Sequence, residues 1–327
     1  MLQFPRWSSR PSLQIRLLLI SAMLMATAAA ATPSSSTMVR DGVVVDVERS
    51  MAFLAAPDGG IEAVDLTAGA VVWTSKAADK PLAVTGDLLI AQAEPTVAGS
   101  LEIAALPLNA PNRRSMSASV PLPEGLWSRL DNGLSRTFQA WAQPADGELL
   151  VVWNASQNSA TLQGYLRSER EGQAPRNLPV QLEGAATIDL ASGRVAEAPI
   201  AEATVRPRTL AVDTPHTSYS RTYLSADGRH VLSSQHSANR DWTRAHRWTI
   251  EDRATGQVIG EIDHFLGTAP FVVVGRSLIF ESRPHVLRRD GEFVSAPLEV
   301  RAVDLTDGTP LWTRELRDAE FRGPFPH

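Results

Sequence analysis

The sequence predicts an all-β fold of repeated four-stranded antiparallel units, a β-propeller of five to six blades, and three observations carry that expectation. A segment near the start of the chain recurs without gaps near its end. An aspartate placed four residues before a glycine marks four positions along the chain. Short apolar runs bounded by glycine-containing turns fill residues 41–320, with no helical periodicity longer than about two turns.

The recurring segment fixes the unit. Ala63-Val-Asp-Leu-Thr-Ala-Gly-Ala-Val-Val-Trp-Thr-Ser75 aligns with Ala302-Val-Asp-Leu-Thr-Asp-Gly-Thr-Pro-Leu-Trp-Thr-Arg314, and weaker copies occupy Thr187–Val195 and Thr249–Val258. The marked pairs are Asp65 with Gly69, Asp189 with Gly193, Asp252 with Gly256, and Asp304 with Gly308. The first interval is about twice the other two, so a degenerate copy is expected at Leu101–Val120. Each copy reads as a hairpin: an alternating strand, a polar turn closed by a glycine that can take positive φ, and a second strand ending in the clear copies on Trp73 or Trp312.

Another pair of strands precedes each hairpin. Met51–Ala56, Leu88–Ala93, Leu149–Trp153, His230–Ser233, Phe271–Val274 and Ser277–Phe280 are apolar runs beside turn residues. Four strands in roughly 45 to 60 residues fit a propeller blade, whereas a sandwich unit needs seven or more. Five units are visible, starting near Asp41, Lys80, Thr137, Ser218 and Pro270. The charged and Gly/Pro/Asn-rich stretch from Gln157 to Val180 reads as an insertion between strands of the third unit.

Residues 1–31 read as a cleavable signal peptide. Arg6, Arg10 and Arg16 precede an apolar run from Leu17 to Ala31, and Ala29 with Ala31 fits small-x-small cleavage after Ala31. That run is shorter than the roughly 20 residues a membrane-crossing helix requires. Residues 32–40 are expected to form a flexible linker and 321–327 a tail, leaving no membrane span after signal removal. The expected location is therefore the periplasm or the exterior.

Composition narrows the partners. A formal net charge of -5 offers no general attraction to nucleic acid or anionic lipid. Lys76 and Lys80 are the only lysines, arginine supplying the remaining basic residues. The chain has no cysteine, which removes thiolate metal ligands, thiol nucleophiles and a lipid-bearing cysteine, and leaves core burial to stabilise an exported monomer.

The stretch Gly59–Trp73, followed by Pro81–Leu89, resembles the pyrroloquinoline-quinone-type repeat of quinoprotein-like propellers, and Ala302–Trp312 matches it equally well. The resemblance implies that the Asp/Gly turn and the tryptophan are structural, with the tryptophan packed between neighbouring blades. That superfamily includes catalytic quinoproteins and non-catalytic propellers such as the lipoprotein of the outer-membrane β-barrel assembly machinery. This chain lacks the adjacent cysteine pair of the quinoprotein alcohol dehydrogenases, and it is shorter than they are. A non-catalytic periplasmic member is the expectation, with no cofactor and a protein partner in the cell envelope. The alternative is a quinoprotein-like dehydrogenase that binds pyrroloquinoline quinone.

No catalytic pair is named. His216, His230, His236, His246, His264 and His285 cluster in sequence but form no zinc signature. No Gly-x-Ser-x-Gly elbow occurs, and Gly59-Gly60 leads into a strand rather than the helix a phosphate loop needs. The candidate partner-binding residues are Trp242, Arg244, Arg247 and Trp248, because indoles interleaved with guanidinium groups are enriched at protein interfaces. Arg283, Arg288 and Arg289 around Asp290-Gly291 read as a second, basic loop.

Overall fold

A computed structural model describes residues 36–96, 99–124, 126, 135–145, 147–158, 180–200, 220–237, 244–283, 285–289 and 292–317, all within the compact unit Ser34–His327. These residues form five antiparallel sheets and one separate hairpin, the blades of an all-β propeller.

Blade 1 runs β1 (Ser36–Arg40), β2 (Val43–Asp46), β3 (Met51–Ala55), β4 (Ile61–Asp65) and β5 (Val71–Ser75). Blade 2 is β6 (Lys80–Thr85), β7 (Leu88–Ala93), β8 (Ser100–Pro107) and β9 (Met116–Pro121). Blade 3 is β10 (Ser135–Ala145), β11 (Glu148–Asn158), β12 (Val180–Asp189) and β13 (Val195–Ala198). Blade 4 is β14 (Ser220–Leu224), β15 (His230–His236), β16 (His246–Asp252) and β17 (Val258–His264). Blade 5 joins β18 (Phe271–Val274), β19 (Ser277–Ser282), β22 (Glu299–Asp304) and β23 (Pro310–Glu315), while β20 (His285–Arg289) and β21 (Glu292–Ala296) form a hairpin between its second and third strands.

Each blade meanders in sequence order, and three apolar cores bind neighbours together. Phe53, Leu89 and Phe138 share a core spanning blades 1 to 3. Leu54, Val272, Ile279 and Trp312 share one between blades 1 and 5. Trp248, Phe271 and Phe280 lie in a third, between blades 4 and 5. Burial of these side chains is the main favourable term, at about 25 cal/mol per Å² of apolar surface.

Two sequence expectations change here, and a third, the degenerate copy, falls where the spacing places it. Residues 36–40, expected within a flexible linker, form β1, which pairs with β2 and packs against β6 and β19. Met38 and Val39 are buried, Ser36 Oγ donates to Val84 O and accepts from Val84 N, and Arg40 Nη1 lies 2.6 Å from Glu281 Oε1. A strand whose polar ends find buried partners on two other blades is ordered by them, a long-range effect that local composition does not carry. Of the expected basic loop, Arg288 and Arg289 lie on β20, which pairs with β21, while Asp290 and Gly291 lie outside the described residues. The degenerate copy is β8–β9, whose turn uses a Pro107–Ala110 corner instead of aspartate and glycine. The expected insertion falls between β11 and β12, and residues 159–179 lie outside the described residues.

Candidate partner-binding surface and blade junctions

The four Asp/Gly turns are one structure built four times. In each, the glycine N–H donates to the aspartate carbonyl at 2.8–2.9 Å, and the aspartate N–H donates back across the turn to the residue after the glycine. The carboxylates act as local caps. Asp65 Oδ1 accepts from Thr67 N and Ala68 N, Asp189 Oδ1 from Ala191 N and Ser192 N, Asp252 Oδ1 from Thr255 N, and Asp304 Oδ1 from Thr306 N. These hydrogen bonds hold Asp189, Asp252 and Asp304 below the ordinary aspartate range, those from Ser192, Thr255 and Thr306 contributing most.

The strand after each turn carries the docking residue, identified by register. The residue two before the turn aspartate pairs with Trp73 in blade 1 (Ala63), Ala196 in blade 3 (Thr187), Gly260 in blade 4 (Ile250) and Trp312 in blade 5 (Ala302); Met116 takes the place in blade 2, opposite Ala105. Trp312 is buried, donates its indole N–H to Leu66 O at 2.7 Å, and lies so close to Gly69 that a methyl group there would stand 2.4 Å from its Cβ. Arg314 adds two bonds to Gly69 O.

Met116 repeats the contact against Gly193. At the junction of blades 4 and 5, Gly260 sits where the tryptophan would be, and Leu305, the residue following the next turn's aspartate, packs directly onto it while Ile262 lies under Gly308. Between blades 3 and 4, by contrast, the docking residue is the exposed Ala196, and a methyl group at Gly256 would meet nothing within 4 Å among the described residues. Trp73 is half-buried against the core of blades 1 to 3, its ring 5.7 Å from that of Phe53.

The proposed interface residues separate. Trp242 lies outside the described residues. Arg244 and Arg247 are exposed beside β16, and Arg247 Nε donates to Asp263 Oδ1 at 2.9 Å. That bond raises the arginine and lowers the aspartate from their ordinary values. Trp248 is not a surface residue: it is 0% exposed, donates Nε1–H to Leu266 O at 2.8 Å, and meets the Phe280 ring edge-on. Strand alternation explains the correction, since Trp248 shares its face with the buried Ile250 while Arg247 points the other way.

Register also assembles a group that sequence spacing hides. His236, His246 and His264 stand in one row across β15, β16 and β17, and the His236 and His246 rings are 4.5 Å apart. Burial lowers the His246 imidazole below the ordinary histidine range, and His236 adds to the shift. His264 is turned inward onto Trp248 and accepts a hydrogen bond from Leu266 N. Among the described residues, no three His, Asp or Glu side chains converge as a metal-binding group.

No protein-family model matches this chain, and no curated protein matches it. Solved structures with similar arrangement include the Myceliophteria thermophila Cps50 (Swd1) β-propeller domain, at 11% identity over 89% of this chain and 90% of that one, with a TM-score of 0.28. Kluyvelomyces marxianus Hsv2 is 9% identical over 86% and 82% of the two chains, with a TM-score of 0.27. The computationally designed Ika8 protein is 8% identical over 88% and 76%, with a TM-score of 0.23. The propeller assignment rests on the five sheets and their junctions.

Proposed function

We propose that this chain is an exported, non-catalytic β-propeller that binds or scaffolds a protein partner in the cell envelope, with the β16 side of blade 4 as the contact surface. The single observation that carries this reading is the exposed pair Arg244 and Arg247, one of them held in place by Asp263, above a blade packed rigidly around Trp248. A planar guanidinium fixed in orientation loses less entropy on binding and presents paired donors suited to carboxylates on a partner. The resemblance to quinoprotein-type repeats belongs to the same proposal, supported by the matching Asp65/Gly69/Trp73 and Asp304/Gly308/Trp312 spacings. So does export, supported by the arginines and apolar run before Ala31.

The test is photo-crosslinking from position 244 in cells that make the protein naturally, with fractionation and mass spectrometry. An envelope protein captured by the wild-type chain and lost in Arg247→Glu, together with a mature N-terminus near Thr32, supports the proposal. A cytoplasmic chain with an intact leader contradicts it. So does alcohol or sugar oxidation by the purified chain loaded with pyrroloquinoline quinone and calcium, the outcome of the dehydrogenase alternative.

A further inference from the structure

Blade 1 has five strands where the sheets of the other four blades have four among the described residues. The additional strand is β1. The Asp65 turn joins β4 to β5 as the Asp189, Asp252 and Asp304 turns join the third and fourth strands of blades 3, 4 and 5, so β2–β5 is a complete blade without it. β1 pairs with β2 alone, along a short ladder with an irregularity between Met38 and Arg40. It lies on the edge of the blade opposite the exposed β5, against β6 of blade 2 and β19 of blade 5.

The groove that holds β1 is lined by three blades, and its chemistry changes along its length. At one end Ser36 Oγ donates to Val84 O at 3.1 Å and accepts from Val84 N at 2.8 Å, so a hydroxyl bridges to the backbone of β6. In the middle Met38 enters the apolar core of blades 1 to 3 and Val39 the core between blades 1 and 5, on opposite faces of an extended segment. At the other end Arg40 Nη1 reaches the buried Glu281 carboxylate at 2.6 Å. A sheet edge for the backbone, with separate sites for alternate side chains, is how folded domains take up extended peptides.

We propose that the β2 edge between blades 1, 2 and 5 is a peptide-binding groove, with residues 36–40 as its resident occupant. The ligand class is an extended segment with a hydroxyl residue first, apolar residues third and fourth, and arginine fifth. Such a segment displaces β1, while β2–β5 and the other blades stay folded. The resident strand is tethered through Asp41-Gly42 and competes at a high effective concentration, which makes it an intramolecular inhibitor of that binding. Asp41 lies 3.7 Å from the buried Lys80 ammonium, a contact that holds the tether on blade 2 whether or not the strand is seated. The groove is separate from the β16 surface and does not rest on it.

The test has two parts. Hydrogen exchange on the unmodified chain is expected to release residues 36–40 well before residues 43–46, because a displaceable strand opens without the blade beneath it. Equal protection of the two segments overturns the proposal. In the second part a fluorescent peptide of residues 34–40 is titrated against the wild-type chain and against full-length Met38→Asp, whose own β1 is driven from an apolar core. Met38→Asp is expected to keep its circular dichroism and to bind the peptide about tenfold tighter or more than the wild type, since its competitor is disabled. The same peptide carrying Arg40→Glu binds neither chain. A Met38→Asp chain that loses its fold, binds the peptide no tighter than the wild type, or takes both peptides equally overturns the proposal. Crosslinking at position 244 reads blade 4 and decides none of these outcomes.

Discussion

Trp312 and Leu66 are 246 residues apart in sequence and joined by a 2.7 Å hydrogen bond from the indole N–H of one to the carbonyl of the other. The bond carries the last strand of blade 5 onto the Asp/Gly turn of blade 1. The repeat is therefore functional as architecture: the turns at Gly69 and Gly193 receive Trp312 and Met116, the docking residues of the preceding blades.

Trp312→Ala should be the more damaging of the two tryptophan truncations. Its buried indole occupies the junction of blades 5 and 1, so its loss is expected to cost about 3–5 kcal/mol, as large-to-small core changes do. Trp312→Phe retains most of the packing and is expected to lose about 1 kcal/mol, the share of one hydrogen bond. Trp73→Ala, at a half-buried ring, should cost less than Trp312→Ala. Urea denaturation of the three variants checks the order.

Two glycines in the same turn should respond differently to the same methyl group. Gly69 and Gly256 have φ of +65° and +69°, so alanine is strained about equally at both, by about 1–2 kcal/mol. At Gly69 the added methyl also collides with Trp312, whereas at Gly256 it meets nothing within 4 Å among the described residues. Gly69→Ala is expected to lower the thermal midpoint well beyond Gly256→Ala. Equal shifts in differential scanning calorimetry would separate the turn from the docking contact.

Much of this was legible because the turn is local. Asp-x-x-x-Gly closes its hydrogen bonds within six residues, so Asp65, Asp189, Asp252 and Asp304 announce four blades without reference to the rest of the chain. The closing hairpin of blade 2 showed only as a gap in the spacing, since Pro107–Ala110 makes its corner by other means. The docking residues Met116 and Gly260 could not be recognised, because equivalence to Trp312 is defined by cross-strand partners and not by residue type. The burial of Trp248 lies in the phase of His246-Arg247-Trp248-Thr249-Ile250, a signal masked by the density of arginine and tryptophan around it. The histidine row across β15, β16 and β17 needs register, which no single strand reveals.

The row gives blade 4 a pH dependence of known sign. His246 is held below the ordinary histidine value of 6.5 in the folded chain, so the unfolded chain takes up its proton first as pH falls. Its contribution to stability is whole above 6.5 and erodes as pH drops from there towards the lowered folded value. Thermal midpoints measured between about pH 8 and pH 5 should fall less steeply for His246→Gln than for the wild-type chain. A steeper fall in the variant would assign the dependence to other groups.

Closure of blade 5 onto blade 1 is the relationship everything else requires, and Arg40 with Glu281 measures it most directly. The pair spans 241 residues of sequence at 2.6 Å, with the carboxylate 1% exposed. A double-mutant cycle of Arg40→Met and Glu281→Gln, read by urea denaturation, is expected to give a coupling energy between about 0.5 and 3 kcal/mol, the range for residues in contact. Additive losses, with coupling indistinguishable from zero, would mean that the first and fifth blades do not meet and would contradict the closure of blade 5 onto blade 1.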